Sequence, residues 1–266
     1  MREKIFSPNH IENDAEIMKA TANALLARGN AVELISESEL VSTPLKDDVD
    51  MIVSMGRKNA TLDKIFDYER IGVPSINSSR GVYNSFRETL TPILTQNEIP
   101  VPLSLVFDTD KFSSEYYEKI AGKKVWLKCE NHSFHREDVT PVYNVEECET
   151  TIREFRCRGF RKCLLQEHVT GSEIKFYALR DGSLFHWYYA NGLPHRSFDE
   201  GAFKSLIIKT AELVKLDVFG GDAIIREDGS FRLIDFNDWP SFAPIRRQAA
   251  ESIADYVMKF INKAEK

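Results

Sequence analysis

Phe219-Gly220-Gly221-Asp222-Ala223-Ile224-Ile225-Arg226 and Phe231-Arg232-Leu233-Ile234-Asp235-Phe236-Asn237-Asp238, joined through Glu227-Asp228-Gly229, decide the reading of this chain. Two apolar runs around a turn signal predict a hairpin with strands Phe219–Arg226 and Phe231–Asp235. Pairing them brings Asp222 and Asp235 near one end of adjacent strands. Asn237 follows Asp235 on the same face, because side chains along a strand repeat with period two. Two carboxylates and an amide oxygen aimed one way are hard donors. They suit Mg²⁺, which binds through one or two carboxylates while keeping water and phosphate oxygens. The plainer alternative is a pair of acids solvating a hairpin edge; the strand context and the Asp-x-Asn spacing favour a metal site.

Working upstream, Leu164-Leu165-Gln166-Glu167-His168-Val169 is an apolar strand that ends in polar residues. Where such a strand leaves its ladder, backbone N–H and C=O groups become available to a planar heterocycle such as adenine. Glu173, a little beyond, is placed to take ribose hydroxyls, and Lys175 alternates in phase with it. Lys128 sits in Val125-Trp126-Leu127-Lys128, an apolar strand whose stem and charged head suit a phosphate contact. Taken singly, these lysines are more often solvated surface charges.

The first eighty residues alternate short strands (Lys4–Pro8, Ala31–Ile35, Val49–Ser54, Val73–Ile76) with helices (His10–Arg28, Thr61–Ile71). This pattern implies a small parallel, Rossmann-like sheet. No GxGxxG follows the first strand, so the dinucleotide fingerprint is absent. Gly81–Asn97 reads as a helix stopped by Pro100 and Pro102. A β-dense stretch follows: Leu103–Phe107, Val125–Glu130 and Val139–Tyr143 around one helix, then helix Glu146–Cys157. Strands Lys162–Val169, Glu173–Leu179 and Ser183–Ala190 come next, and helices Asp199–Leu216 and Pro244–Ala264 flank the hairpin.

With 266 residues, 42% hydrophobic, the chain can build a sizeable core and suggests about two domains. Its net charge of −6 argues against a nucleic-acid or anionic-membrane partner. Four cysteines without CxxC spacing read as reduced thiols, and no apolar stretch approaches a membrane span. The N-terminus shows no signal-peptide pattern. The expectation is a soluble cytoplasmic protein.

The order Arg87, Lys128, Gln166-Glu167-His168-Val169, Glu173, Lys175, Asp222, Asp235-Phe236-Asn237 resembles the ATP-grasp superfamily over roughly residues 80–266. The resemblance implies an α/β (α+β) fold: a Rossmann-like pre-grasp domain (1–80), then an ATP-grasp domain (81–266) of two β-rich lobes, about 98–163 and 164–266. It implies ATP at the hinge matching Glu167–Val169, and Mg²⁺, or Mn²⁺ in its place, on Asp222, Asp235 and Asn237. Arg87 stands where the family usually has a lysine. The glycine-rich phosphate-covering loop is replaced by Asn131–Asp138, without one glycine; it is expected to close over the phosphates through side chains including His135 and Arg136. Most of the superfamily joins a carboxylate to an amine, and Arg246 with Arg247 would grip the acceptor carboxylate. The segments Ser133-Phe134-His135 and Ile234–Phe242 also look like the inositol-phosphate kinase branch. A phosphorylated polyol would then meet a basic pocket drawn from His132, His135, Arg136, His195, Arg196, Arg246 and Arg247. Arg246, Arg196 and His135 are the candidate catalytic residues. A small-molecule acceptor is expected, with no nucleic-acid or membrane partner; a non-catalytic nucleotide-binding protein is the third reading.

Overall fold

The computed structural model describes residues 10–120, 124–130, 136–190 and 196–264. The N-terminal stretch contains α1 (His10–Ala27), α2 (Glu37–Ser42), β1 (Ile52–Val53), α3 (Asn59–Arg70) and β2 (Ser75–Ile76). β1 and β2 pair in parallel, Ile52 opposite Ser75 and Val53 opposite Ile76. The expected strand Ala31–Ile35 forms no ladder with any described strand, and Lys4–Pro8 lies outside the described residues. α2 was not anticipated, although Ser36-Glu37-Ser38-Glu39 carries a helix-start signal. Ser36 Oγ accepts from the Glu39 N–H at 3.2 Å.

The expected helix Gly81–Asn97 is two helices, α4 (Ser79–Ser85) and α5 (Arg87–Gln96). Phe86 between them is extended, with φ −65° and ψ 136°. No glycine or proline marks this break, so periodicity alone reads through it. The break makes Arg87 the first residue of α5.

The first large sheet holds β3 (Ser104–Asp108), β4 (Val125–Cys129), β5 (Val139–Val142) and β6 (Lys162–Glu167) in the antiparallel order β3-β6-β4-β5. α6 (Ser114–Ile120) and α7 (Val145–Cys157) cover one face, burying Phe107, Leu127, Ile152 and Phe155. α7 starts on a reciprocal cap. Asn144 Oδ1 accepts from the Glu147 N–H at 2.8 Å while Glu147 Oε2 accepts from the Tyr143 N–H at 2.9 Å. The expected lobe boundary at 163/164 falls inside β6, a central strand of this sheet. The chain therefore passes to the second sheet between Glu167 and Ser172.

The second large sheet holds β7 (Ser172–Leu179), β8 (Phe185–Tyr189), β9 (Val218–Ile225) and β10 (Phe231–Asp238) in the antiparallel order β10-β9-β7-β8. One face packs against α8 (Glu200–Val214) through Ile174, Phe176, Phe219, Ala223, Leu233 and Phe236. α9 (Arg246–Ala264) closes the chain. Its Ala250, Ile253 and Val257 share one core with Ile17 and Leu25 of α1, Ile76 of β2, and Tyr177 and Leu179 of β7. The N-terminal elements and the second sheet are thus built on common apolar packing. Among the described residues no helix is long and apolar enough to cross a membrane.

Candidate active site

The helix-packed face of the second sheet fixes what the other face displays. Ile174, Phe176 and Ala178 point to α8, so Glu173 and Lys175 point away from it. On β9, Ala223 and Gly221 flank Asp222, which shares the face of Lys175 and lies directly opposite it in register. Lys175 Nζ donates to Asp222 Oδ1 at 2.7 Å.

β10 reaches the same arrangement by a bulge. Leu233 pairs with Ala223 and lies in the core, yet two residues on, Asp235 pairs with Asp222. Strict alternation would send Leu233 and Asp235 to one face. The register shift at Ile234 inserts a residue, so Asp235 turns away from the core while Phe236 turns into it. Asn237 then shares the face of Asp235, and its Nδ2 donates to Asp235 Oδ2 at 3.0 Å. The two glycines before Asp222 have a steric reason. A Cβ on Gly221 would meet the Asp235 carbonyl oxygen at 2.2 Å, and one on Gly220 would meet Phe176 O at 2.7 Å and Pro240 Cγ at 2.8 Å. Asp222, Asp235 and Asn237 are therefore brought together, in closer register than the hairpin reading required.

The first sheet contributes Lys128 from β4. Lys128 is buried at 6% exposure, and its Nζ donates to the Ile234 carbonyl at the bulge at 2.8 Å. Burial lowers its pKa to about 8, although Asp235, Asp222 and Glu173 pull the other way. Burial likewise raises the pKa of Asp222, opposed by Lys175 and reinforced by Asp235. For Lys175, burial works downward, but Asp222 and Glu173 leave the balance raised. Arg87, buried at the start of α5, donates from Nη1 to the Cys129 carbonyl at 2.9 Å, at the residue after Lys128. Gln166 is buried and donates to Ser104 Oγ at 3.1 Å. At the crossing between sheets, Glu167 Oε2 accepts from the Leu103 N–H at 3.3 Å, and Val169 is half-buried. His168 Nδ1 accepts from Trp126 Nε1 at 3.1 Å, and burial lowers the His168 pKa.

No family model matches this sequence, and no curated protein matches it. Solved structures do match. A RimK domain ATP-grasp protein from Sphaerobacter thermophilus superposes with TM-score 0.72 at 18% identity, covering 91% of this chain and 95% of that one. The D-alanine–D-alanine ligase from Bacillus anthracis gives 0.73 at 10% identity, covering 96% and 94%. The ATP-grasp ligase PsnB, solved with a minimal precursor, gives 0.65 at 14% identity, covering 91% and 95%. The chain has the ATP-grasp fold.

The two large sheets meet at a small pocket lined by Lys128 and Gln166 on one side and Ile234 and Asp235 on the other. Arg196 Nη2 pairs with Glu227 Oε1 at 2.9 Å at the periphery. Arg246 opens α9 and lines a groove against Ala20, Asn23 and Ala24 of α1. His132, His135 and His195 lie outside the described residues, as does the side chain of Arg136. The expected loop ends on a fixed point, because Asp138 is buried and ion-paired with Arg158.

Sequence reasoning missed Arg57. It follows β1, and its Nε donates to both carboxylate oxygens of the fully buried Asp238, at 2.9 and 3.2 Å. Its Nη2 donates to the Asp238 backbone carbonyl at 2.8 Å. Asp238 alternates away from Asn237, so the spacing that picks out Asp235 and Asn237 passes over it.

Proposed function

We propose that this chain is a Mg²⁺-ATP-dependent phosphoryl-transfer enzyme of ATP-grasp type, a carboxylate–amine ligase acting through an acyl phosphate. The observation that carries the reading is the opposition of Asp222 and Asp235 on one face, with Asn237 and Lys175 beside them. Lys128 reaches the same place from the other sheet. Support also comes from the neighbours: the Bacillus anthracis ligase has been solved with ATP, and PsnB with AMPPNP and a precursor peptide.

The donor set fits Mg²⁺. Among the described residues no group of three His, Cys, Asp or Glu side chains gathers to hold a metal alone. Two carboxylates and an amide suit a cation whose shell is completed by phosphate oxygens. Bound there by Asp222, Asp235 and Asn237, the ion would neutralise charge on the phosphates. Lys128, Lys175 and Arg87 would hold those phosphates, Glu173 the ribose, and Gln166 to Val169 the adenine. Residues 1–80 would present the acceptor to the ATP-grasp portion, 81–266.

In the reaction, an acceptor carboxylate oxygen attacks the γ-phosphorus and the bridging oxygen leaves with ADP. An amine nitrogen then attacks the acyl carbon, the phosphate departs with the bonding electrons, and the amine proton passes to solvent. The protein supplies position and charge, which dominate phosphoryl transfer. An acceptor screen coupled to ADP release, using amino acids, peptides and phosphorylated polyols, tests the reading. A new amide with released phosphate supports the ligase. A phosphorylated product without free phosphate replaces it with a kinase, and absence of ATP turnover with every acceptor replaces it with a binding protein.

A further inference from the structure

The carboxyl ends of parallel strands are where α/β sheets place their ligands. In this chain those ends abut the metal-site strands. After β2, Asn77 Nδ2 donates to the Val218 carbonyl at 2.7 Å, and its Oδ1 accepts from the Asp217 and Val218 N–H groups at 2.8 Å each. After β1, Arg57 grips Asp238, the residue next to Asn237. The open end of the small parallel sheet therefore meets the end of the β9–β10 pair beyond Asn237, where Val218 and Asp238 lie.

The guanidinium of Arg57 is only partly engaged by Asp238. A guanidinium has five N–H donors, and the contacts to Asp238 use its Nε and Nη2 nitrogens. Among the described residues the Nη1 donors have no partner, and the side chain is 23% exposed. Its plane is fixed by a carboxylate of 0% exposure. Its loop is braced as well: the Gly56 N–H donates to Ser54 Oγ at 3.0 Å, and a Cβ on Gly56 would meet Thr61 Cγ2 at 2.5 Å. Thr61 Oγ1 in turn donates to Glu37 Oε2 at 2.7 Å. A rigid, half-satisfied fork of this kind matches an oxyanion at little ordering cost.

We propose that Arg57, oriented by Asp238, binds an anionic group of the acceptor, a carboxylate or a phosphate. This rests on the reading of the cleft as a nucleotide and acceptor site, and it assigns the acceptor grip to Arg57 in place of Arg246 or Arg196.

The test follows the Arg57 Nε–Hε signal in ¹⁵N-labelled full-length protein, identified by its loss in Arg57→Lys. Succinate and inorganic phosphate are titrated in separately, with Mg²⁺-AMPPNP present and absent. A saturable shift of the Arg57 signal is expected with at least one anion. Succinate alone marks a carboxylate acceptor, phosphate alone a phosphorylated one, and both mark a site that takes either. In Arg57→Gln/Asp238→Asn, which removes both charges of the ion pair together, affinity for that anion falls at least tenfold while AMPPNP affinity stays within about twofold. If neither anion moves the Arg57 signal, or the double variant keeps full anion affinity, Arg57 is only a structural tie. Failure of AMPPNP to bind the parent protein would instead sink the nucleotide reading, whatever the Arg57 signal does.

Discussion

Lys128 on β4 donates to the carbonyl oxygen of Ile234 on β10, and Ile234 is the bulged residue that turns Asp235 towards Asp222. One side chain thus ties the first sheet to the strand irregularity on which the candidate metal site depends.

This contact makes nucleotide binding sensitive to pH. The folded pKa of Lys128 is about 8 against 10.5 for an ordinary lysine, lowered by burial. Above pH 8 the neutral amine becomes the majority form, and arriving phosphates restore its charge. Calorimetry of Mg²⁺-AMPPNP binding in buffers of different ionisation enthalpy should show proton uptake near pH 8.5 that is absent at pH 6.5 and absent in Lys128→Met. The stability linkage has a definite sign. A folded pKa below the unfolded one means that the unfolded chain binds more protons between about 8 and 10.5, so stability should rise with pH across that window. In Lys128→Met this rise should be lost. Equal proton uptake by the variant would remove Lys128 from the phosphate site.

Gly221→Ala tests the steric basis of the bulge. The added methyl would sit 2.2 Å from the Asp235 carbonyl, so β10 must move. A loss of about 1–3 kcal/mol in urea unfolding is expected, with Mg²⁺-dependent turnover falling further than stability alone explains. An unchanged denaturation midpoint would mean that the strand accommodates the methyl freely.

Arg57→Ala should be among the more destabilising single changes in the N-terminal stretch. It takes the Arg57 ion pair from a fully buried carboxylate, Asp238, and breaking a buried pair costs about 3–5 kcal/mol. Asp238→Ala should cost less, because Arg57 retains partial exposure. Thermal unfolding of both single variants and of Arg57→Ala/Asp238→Ala gives the coupling; additive losses would show that the pair is not coupled.

Much of this was legible beforehand because it depends on period-two alternation. Spacing places Asn237 on the face of Asp235, although it is the bulge that brings that face to Asp222, and the Asp181-Gly182 and Asp228-Gly229 turns fall where the composition puts them. What escaped depends on contacts distant in sequence. The bulge at Ile234 has no local marker, and Gly221, which leaves room for the Asp235 carbonyl there, lies on the other strand. The break at Phe86 carries no glycine or proline. Arg57 and Asp238 are 181 residues apart, and nothing in either neighbourhood names the other. Ala31–Ile35 has strand composition but gains no partner among the described strands, and pairing, not propensity, makes a strand.

The central claim is a metal-assisted nucleotide site on the β9–β10 pair, and calorimetry of AMPPNP binding to the parent protein and to Asp235→Asn, with and without Mg²⁺, tests it most directly. The parent should bind AMPPNP far more tightly with Mg²⁺ than without it. Asp235→Asn should remain folded, lose most of that metal-dependent gain, and turn over ATP orders of magnitude more slowly, because a carboxylate ligand is lost where charge is neutralised. Identical Mg²⁺-dependent affinity and near-normal turnover in Asp235→Asn would contradict the account.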